Sequence, residues 1–178
     1  IIVMLIMSSA FIIDETEQAV ITRFGEPVRK PILTPGLKWK IPLVEMVHKF
    51  DKRILDWDGE PSQVPTRDKK FIWVDLTGRW RIADPLMFFK AMHNEQTAQT
   101  RLDDIMDGIT RNYITRHNLV AVVRSTNNIL KVKEDIEDAI AADSDFSEID
   151  IGRDAITRQI LESAQEVLAE YGVELIDI

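Results

Sequence analysis

The residue types that commonly carry out enzyme chemistry are few in this chain and widely separated. Its three histidines, His48, His93 and His117, have no spacing to one another that is typical of a metal site or a proton relay. The sequence contains no cysteine, which excludes disulfides, thiolate metal sites and thiol nucleophiles. It also lacks a Gly-x-Ser-x-Gly turn, a phosphate-binding glycine-rich loop and a His-Glu-x-x-His motif. We therefore predict no catalytic residue, no metal site and no cofactor.

One group of carboxylates, Asp103, Asp104 and Asp107, occurs at close spacing. On a helix these residues fall opposite an apolar stripe that contains Leu102 and Ile105. Paired carboxylates can act as general acid and base, but a charged face opposite an apolar stripe is most often the solvated side of a helix. We therefore predict that this group faces solvent and takes no part in catalysis.

The charge of the chain is distributed unevenly. The formal net charge is -8 over 178 residues, and it combines a net +2 in residues 1–90 with a net -10 in residues 91–178. An acidic chain without clustered Lys and Arg argues against nucleic acid as a partner. The hydrophobic content of 45% suffices for one ordinary domain or two small ones, while 29% charged residues exclude a protein embedded in the membrane throughout.

The first thirteen residues form an apolar run without a charged residue. A helix that spans a bilayer needs about 20 apolar residues, so the run predicts the C-terminal part of a truncated transmembrane helix at 1–13. The membrane anchor residues of this helix are Ile1, Val3, Leu5, Ile6 and Phe11. Two alternatives stay open: the core of a signal peptide, or a buried first strand over Phe11 to Ile13.

The residues that follow the apolar run are acidic. Asp14, Glu15 and Glu17 come first, and no Lys or Arg occurs before Arg23. Because the cytoplasmic flanks of transmembrane helices are enriched in Lys and Arg, this composition predicts that the following domain lies away from the cytoplasm.

Periodicity divides the rest of the chain into strands followed by helices. Alternating apolar and polar residues predict strands at 18–24, 37–41, 71–82 and 173–178. Apolar residues at three- and four-residue spacing predict helices at 86–92, 94–117, 129–142 and 153–171. Asp84 and Pro85 are typical of a helix start, and Gly172 is typical of a helix end. This order indicates an α+β fold in which an antiparallel sheet leads into a helical subdomain.

Leu37, Trp39 and Ile41 alternate with two lysines between Pro35-Gly36 and Pro42. An indole with neighbouring lysines is well accommodated among lipid headgroups, which makes these three residues a possible membrane-interface loop. The alternative is a loop tryptophan that folds back on the core. The sequence leaves both interpretations open.

Several segments, in this order and spacing, resemble the band 7 or SPFH domain that stomatins, prohibitins and flotillins share. They are Glu17–Gly25, Pro35–Pro42, Asp51-Lys-Arg, Trp80–Pro85 and Tyr171–Ile178. The resemblance covers essentially the whole chain. It implies a β-rich first subdomain at 14–83 and a helical α/β second subdomain at 84–178, with the transmembrane helix before them. In this family a long helix follows the domain, so a coiled-coil region is expected after residue 178.

Within the family, Arg101–Ile105 and Asn118–Asn127 are most similar to a bacterial branch of protease modulators. That similarity implies a single-pass subunit of the bacterial inner (plasma) membrane with a periplasmic domain. Such subunits assemble with an HflK-like subunit, in many copies, into a cage that encloses an FtsH-type AAA protease. The resemblance further implies contact with membrane lipid and no enzymatic activity of the domain itself.

A subunit of a ring needs two different surfaces that complement each other. The near-neutral residues 1–90 and the acidic residues 91–178 supply such a pair of surfaces in part. Under this hypothesis, Asp103, Asp104 and Asp107 form a possible subunit interface.

Two other functions compete with this one. A stomatin-like protein that organises lipids or regulates a channel has the same fold, and is distinguished by a cytoplasmic, hairpin-anchored domain. A hydrolase is disfavoured because the nucleophile constellation is missing.

Overall fold

The computed structural model describes residues 9–126 and 149–178. In this part of the chain the strands are β1 (Ala10–Ile13), β2 (Glu17–Arg23), β3 (Glu26–Pro27), β4 (Gly36–Trp39), β5 (Glu45–Asp51), β6 (Leu55–Asp58), β7 (Ser62–Pro65), β8 (Phe71–Val74), β9 (Thr77–Ile82) and β10 (Val173–Asp177). The helices are α1 (Pro85–Met92), α2 (Glu95–Ile114), α3 (Leu119–Val123) and α4 (Arg153–Ala169). Every strand pair is antiparallel, so the predicted α+β class is confirmed.

The longest ladder joins β2 to β5 and extends from Glu17 opposite Asp51 to Arg23 opposite Glu45. Strand β2 buries five consecutive residues, 18–22, because both of its faces are covered. Two of them, Gln18 and Thr22, are polar. The amide of Gln18 donates to the Asp51 carbonyl at 3.3 Å and to the Ile82 carbonyl at 3.1 Å. The β-rich core is therefore held by side-chain polar contacts as well as by apolar packing.

A second sheet has the strand order β10-β9-β6. Strand β9 alternates as predicted, with Trp80 and Ile82 buried and with Arg79 and Arg81 exposed. On the exposed face Arg79 pairs with Asp177, and Arg81 pairs with Glu174 at 2.7 Å.

The single strand predicted at 71–82 is wrong in one respect, because the chain breaks at residues 75–76 into β8 and β9. The two strands pair with different partners: β8 pairs only with β7, whereas β9 lies between β6 and β10. Alternation of apolar residues continues across the break, and for this reason periodicity alone does not reveal it.

Helix α1 begins as the sequence predicts. The Asp84 carboxylate accepts from the backbone N–H groups of Leu86 at 2.8 Å and Met87 at 3.1 Å, and Pro85 takes the first helical position. Helix α2 is capped by Asn94, whose side chain accepts from the Thr97 N–H at 2.8 Å.

Gly172 follows α4 with a φ of 72°, and its carbonyl accepts from the N–H groups of Ala83 and Asp84. A Cβ at this position would lie 2.5 Å from the Asp84 carbonyl oxygen. The turn after α4 therefore contacts the start of α1 so closely that only glycine fits.

The start of the described chain corrects one prediction. Residues 10–13 form strand β1, paired with β4, and are not the end of a transmembrane helix. Phe11, predicted as an anchor residue, lies in this strand opposite Lys38. The apolar composition of residues 10–13 suits a helix in lipid as well as a strand. Pairing with β4, which lies more than twenty residues further along the chain, decides for the strand.

Several predictions fall outside the described residues. They concern the anchor residues Ile1, Val3, Leu5 and Ile6 and the helix at 129–142. Within the described ranges, no helix has the length and the apolar character needed to cross a bilayer.

Two compact units make up the described chain. The first contains residues 9–58, 77–102 and 165–177, and the second contains residues 59–76, 103–126 and 149–164. The units are interleaved along the sequence, so they do not coincide with the predicted subdomains at 14–83 and 84–178.

Candidate membrane-contact site

The β1–β4 ribbon of the first unit exposes one apolar face. Ile12 lies directly opposite Leu37, and Ala10 lies opposite Trp39, so these four side chains share a face. Ile12, Leu37 and Trp39 are 62%, 59% and 56% exposed. Such exposure does not fit a tryptophan folded back on the core. Ile41, two residues further on, is also exposed, so all three residues of the predicted interface loop reach solvent.

Two further apolar residues were missed by sequence reasoning. Phe24 is 88% exposed and Leu43 is 95% exposed, and both have a positive φ, of 52° and 70°. A left-handed backbone costs a bulky residue on the order of 1 kcal/mol or more. Large apolar side chains at such positions are available for contact with another molecule.

Phe24 and Leu43 leave the β2–β5 ladder at the same end. The last pair of this ladder is Arg23 opposite Glu45, and Phe24 follows Arg23 directly while Leu43 precedes Glu45 by two residues. Together with Trp39 and Ile41 they form a set that we call the apolar tip. The signal in the sequence was a bulky residue beside Gly25 or Pro42, each in a turn.

The N-terminal residues join the first unit beside this tip. The Ser9 carbonyl accepts from the Lys40 N–H at 2.8 Å, which continues the β1–β4 ladder by one pair. Ser9 therefore lies next to Lys40, which directly precedes Ile41 of the apolar tip.

A buried carboxylate lies behind the tip. The side chain of Glu45 is 0% exposed, and its oxygens accept from Arg29 at 3.0 and 3.2 Å, from Arg23 at 3.0 Å and from the Ile41 N–H at 2.8 Å. The Ile41 N–H, followed by the two guanidinium groups, holds the pKa of Glu45 below its usual value despite burial. Glu45 is therefore ionised at neutral pH.

The three carboxylates predicted as a subunit interface lie on α2. Asp104 and Asp107 are exposed, whereas Asp103 is half-buried and has a partner of its own. The opposite side of the helix buries Leu102 and Met106, as the periodicity predicts. Two of these carboxylates are thus available to another molecule.

The structure brings two of the three histidines together. The rings of His48 and His93 both contact Phe89, with centroid distances of 4.6 and 5.4 Å. Burial, and next the proximity of His93, lower the pKa of His48, whose Nε2 lies 3.1 Å from the Thr22 hydroxyl. His117 contacts the Tyr113 carbonyl through Nδ1 at 2.7 Å. These contacts are packing and capping contacts.

Comparison with known proteins gives a consistent result. A family model described as SPFH domain / Band 7 family matches residues 11–178. Protein HflC of Treponema pallidum is 35% identical over 94% of this chain and 54% of the relative, and protein HflC of Borreliella burgdorferi is 33% identical over 97% and 54%. The modulator of FtsH protease HflC of Escherichia coli is 29% identical over 96% of this chain and 52% of the relative.

The branch predicted from residues 101–105 and 118–127 is the HflC branch, and these similarities confirm that prediction. The chain spans about half the length of the curated relatives that it matches.

Proposed function

Because this chain belongs to the SPFH domain / Band 7 family, we propose that it is an HflC-like, membrane-anchored scaffold subunit that assembles with an HflK-like subunit and modulates an FtsH-type AAA protease. The observation that carries the proposal is the similarity of nearly the whole chain to proteins named HflC, one of them a modulator of FtsH protease. The domain acts by binding and carries out no catalysis.

The direct test is co-purification from membranes. We expect the protein to retain both an HflK-like subunit and an FtsH-type protease, and its deletion to change the rate at which that protease degrades a membrane substrate. Loss of both partners under mild solubilisation contradicts the proposal. If the purified protein cleaves a substrate in the absence of the protease, the proposal that the domain is non-catalytic is wrong.

In the proposed function the apolar tip lies against the bilayer. An indole flanked by Lys38 and Lys40 suits the headgroup region, and the exposed apolar side chains of Phe24 and Leu43 suit the boundary with the acyl chains. The adjoining residues 1–8 belong to the membrane anchor. We further propose that the domain is periplasmic, on the inner membrane of a bacterium, because no Lys or Arg follows the apolar run before Arg23.

Topology distinguishes this function from a stomatin-like scaffold that organises lipids or regulates a channel. Lys52→Cys introduces a thiol at an exposed position of a sequence without cysteine. A membrane-impermeant maleimide applied to cells with a permeabilised outer membrane should label it. Labelling only after lysis indicates a cytoplasmic domain and favours the stomatin-like alternative.

The proposed assembly uses Asp103, Asp104 and Asp107 as one side of a heterologous interface. Because Asp104 and Asp107 are exposed, reversing both to Lys should weaken association with the HflK-like subunit without unfolding α2. The measurement is the amount of that subunit that co-purifies at low and at moderate salt. Glu162→Lys with Glu166→Lys, at two exposed positions of α4, is the charge-matched control. Equal recovery of the HflK-like subunit with the native protein and with the charge-reversal variant would show that this face is not part of the interface.

A further inference from the structure

Three segments that carry the apolar tip meet at one side chain, that of Glu45. Its Oε1 accepts from Arg23, which directly precedes Phe24 in the chain. Both of its oxygens accept from Arg29, and the other terminal nitrogen of Arg29 donates to the Trp39 carbonyl at 3.4 Å. Its Oε2 accepts from the N–H of Ile41.

Glu45 also closes the turn that displays Leu43. Its backbone N–H donates to the Ile41 carbonyl at 2.9 Å, while its carboxylate accepts from the Ile41 N–H at 2.8 Å. This reciprocal pair joins the two ends of a five-residue loop that has Leu43 near its apex. Leu43 is almost fully exposed, so its own side chain contributes nothing to holding the loop.

From this geometry we propose that Glu45 is the positioning residue of the apolar tip, and that Arg23 and Arg29 connect it to Phe24 and Trp39. The inference rests on the proposed membrane contact of the tip and adds what holds the tip in its lipid-contacting form. A residue in a left-handed backbone keeps that conformation only where its surroundings fix it. For Leu43 the fixing contacts are those of Glu45, and for Phe24 they include the neighbouring Arg23–Glu45 pair.

Ordinary structural stabilisation makes a different prediction from positioning. If Glu45 only stabilised the fold, its replacement would destabilise the tip and the rest of the first unit to the same extent. If Glu45 positions the tip, its replacement disrupts the loop that carries Leu43 and leaves the β2–β5 ladder and the surroundings of the buried Trp80 unchanged. The two roles separate when the tip and the core are measured in the same sample.

The experiment uses the full-length protein in vesicles of phosphatidylethanolamine and phosphatidylglycerol. Leu43→Cys provides a thiol for an environment-sensitive dye, and no cysteine occurs among the 178 residues of this sequence. Any cysteine elsewhere in the full-length protein is replaced by serine. Lys52→Cys, at the opposite end of β5, provides the control label. Quenchers attached to lipid headgroups and to acyl chains report contact with the bilayer, and near-ultraviolet circular dichroism reports the core.

We expect the dye at residue 43 to be quenched by lipid and the dye at residue 52 to be unaffected. Adding Glu45→Gln should lower the lipid-contacting fraction at residue 43 about tenfold, because a buried charge-assisted hydrogen-bond set is lost. Arg29→Gln, which leaves Arg23 and Ile41 on Glu45, should lower it less. The circular dichroism of the core should not change in either variant.

The outcomes separate the two proposals. Absence of quenching at residue 43 in the otherwise native protein refutes the membrane contact itself. Quenching that is equal with and without Glu45→Gln refutes the positioning role and leaves the membrane contact standing. If Glu45→Gln fails to fold, Arg29→Gln decides, and unchanged quenching in that variant overturns the inference.

Discussion

Gln18 illustrates how single buried side chains hold this protein together. Its amide lies in the middle of the core of the first unit and donates to the carbonyls of Asp51 and Ile82, which belong to different sheets. Gln18→Leu keeps the volume but leaves both carbonyls without this donor. Since an unsatisfied buried polar group costs about 1–3 kcal/mol, we expect a loss of that size in the free energy of unfolding, measured with urea.

The matched control for this change is Gln63→Leu. Gln63 is exposed on β7, and its replacement should alter the free energy of unfolding by less than about 0.5 kcal/mol. A similar loss in both variants contradicts a specific role for the Gln18 amide.

The hydrogen bonds of the Asp68 carboxylate should depend on pH. Its carboxylate accepts from the Thr66 hydroxyl at 2.6 Å and from the Leu119 N–H at 3.0 Å, which joins the β7–β8 turn to the start of α3. These contacts, led by Thr66, lower the pKa of Asp68 from 3.8 to about 2. Because the folded-state pKa is lowered, the contact contributes fully above pH 3.8 and is lost as the pH falls through about 2.

Hydrogen exchange at the Leu119 amide checks this prediction. We expect protection to decline over that acidic range in the native chain, and to be low at every pH in Asp68→Asn. Protection in Asp68→Asn that matches the native chain above pH 4 would show that the carboxylate does not hold this amide.

At this scale the sequence predicts side chains by type but not by partner. It identifies Trp39 as a candidate for a membrane surface because an indole between lysines has a recognisable chemistry. It does not identify Phe24 or Leu43, because their exposure follows from a left-handed backbone that the neighbouring turns impose. It does not identify Glu45, whose partners lie 4 to 22 residues away.

At the scale of secondary-structure elements, replacing two different glycines by alanine should change the stability in opposite directions. Gly172 has a φ of 72° and no room for a Cβ against the start of α1, while Gly108 lies within α2 with open space around it. Gly172→Ala should lower the free energy of unfolding by about 1–3 kcal/mol or more, through backbone strain and the contact with Asp84. Gly108→Ala should raise it by about 0.5–1 kcal/mol, because alanine is the better helix former.

Thermal unfolding of both variants by circular dichroism measures the two effects. Opposite signs are the expected result. Stabilisation by Gly172→Ala would mean that the turn after α4 does not pack against α1 as the structure shows.

At the element scale, helix starts with a local cap were predictable, whereas the short helix α3 and the pairing of strands were not. Capping residues such as Asp84 and Asn94 mark helix starts, because the contacts they make are local. The break between β8 and β9, and the strand at 10–13, depend on partners far along the chain. Apolar alternation is the same whichever partner a strand takes, so local pattern cannot supply the pairing.

For the molecule as a whole, membrane contact and subunit assembly should be separable. The apolar tip belongs to the first compact unit, and Asp104 and Asp107 belong to the second. Phe24→Ser with Leu43→Ser should reduce lipid quenching of a dye at residue 41, introduced as Ile41→Cys, and leave co-purification of the HflK-like subunit unchanged. Reversal of the two carboxylates should have the opposite pair of effects, since the two surfaces belong to different compact units.

This test requires that lipid quenching and co-purification are both measured for the serine variant and for the charge-reversal variant. Loss of partner and lipid contact together in either variant would indicate that one surface serves both purposes, which contradicts the division of roles between the units. The interleaving of these units was not foreseeable from the order of elements, because it depends on pairings such as that of β10 with β9, whose residues lie 91 to 98 positions apart.

The pairing of β10 with β9 has a consequence for the order of events at the ribosome. The ion pairs Arg79–Asp177 and Arg81–Glu174 join residues 98 and 93 positions apart, and β9 keeps a bare edge until they form. During synthesis the β2–β5 ladder and α1 emerge early, but the sheet that contains β9 stays open until residues 173–177 have left the exit tunnel. An open edge is a template for wrong pairing with a neighbouring nascent chain. Neighbouring nascent chains are thus exposed to mispairing until β10 has left the exit tunnel, and the rate of elongation sets how long that exposure lasts.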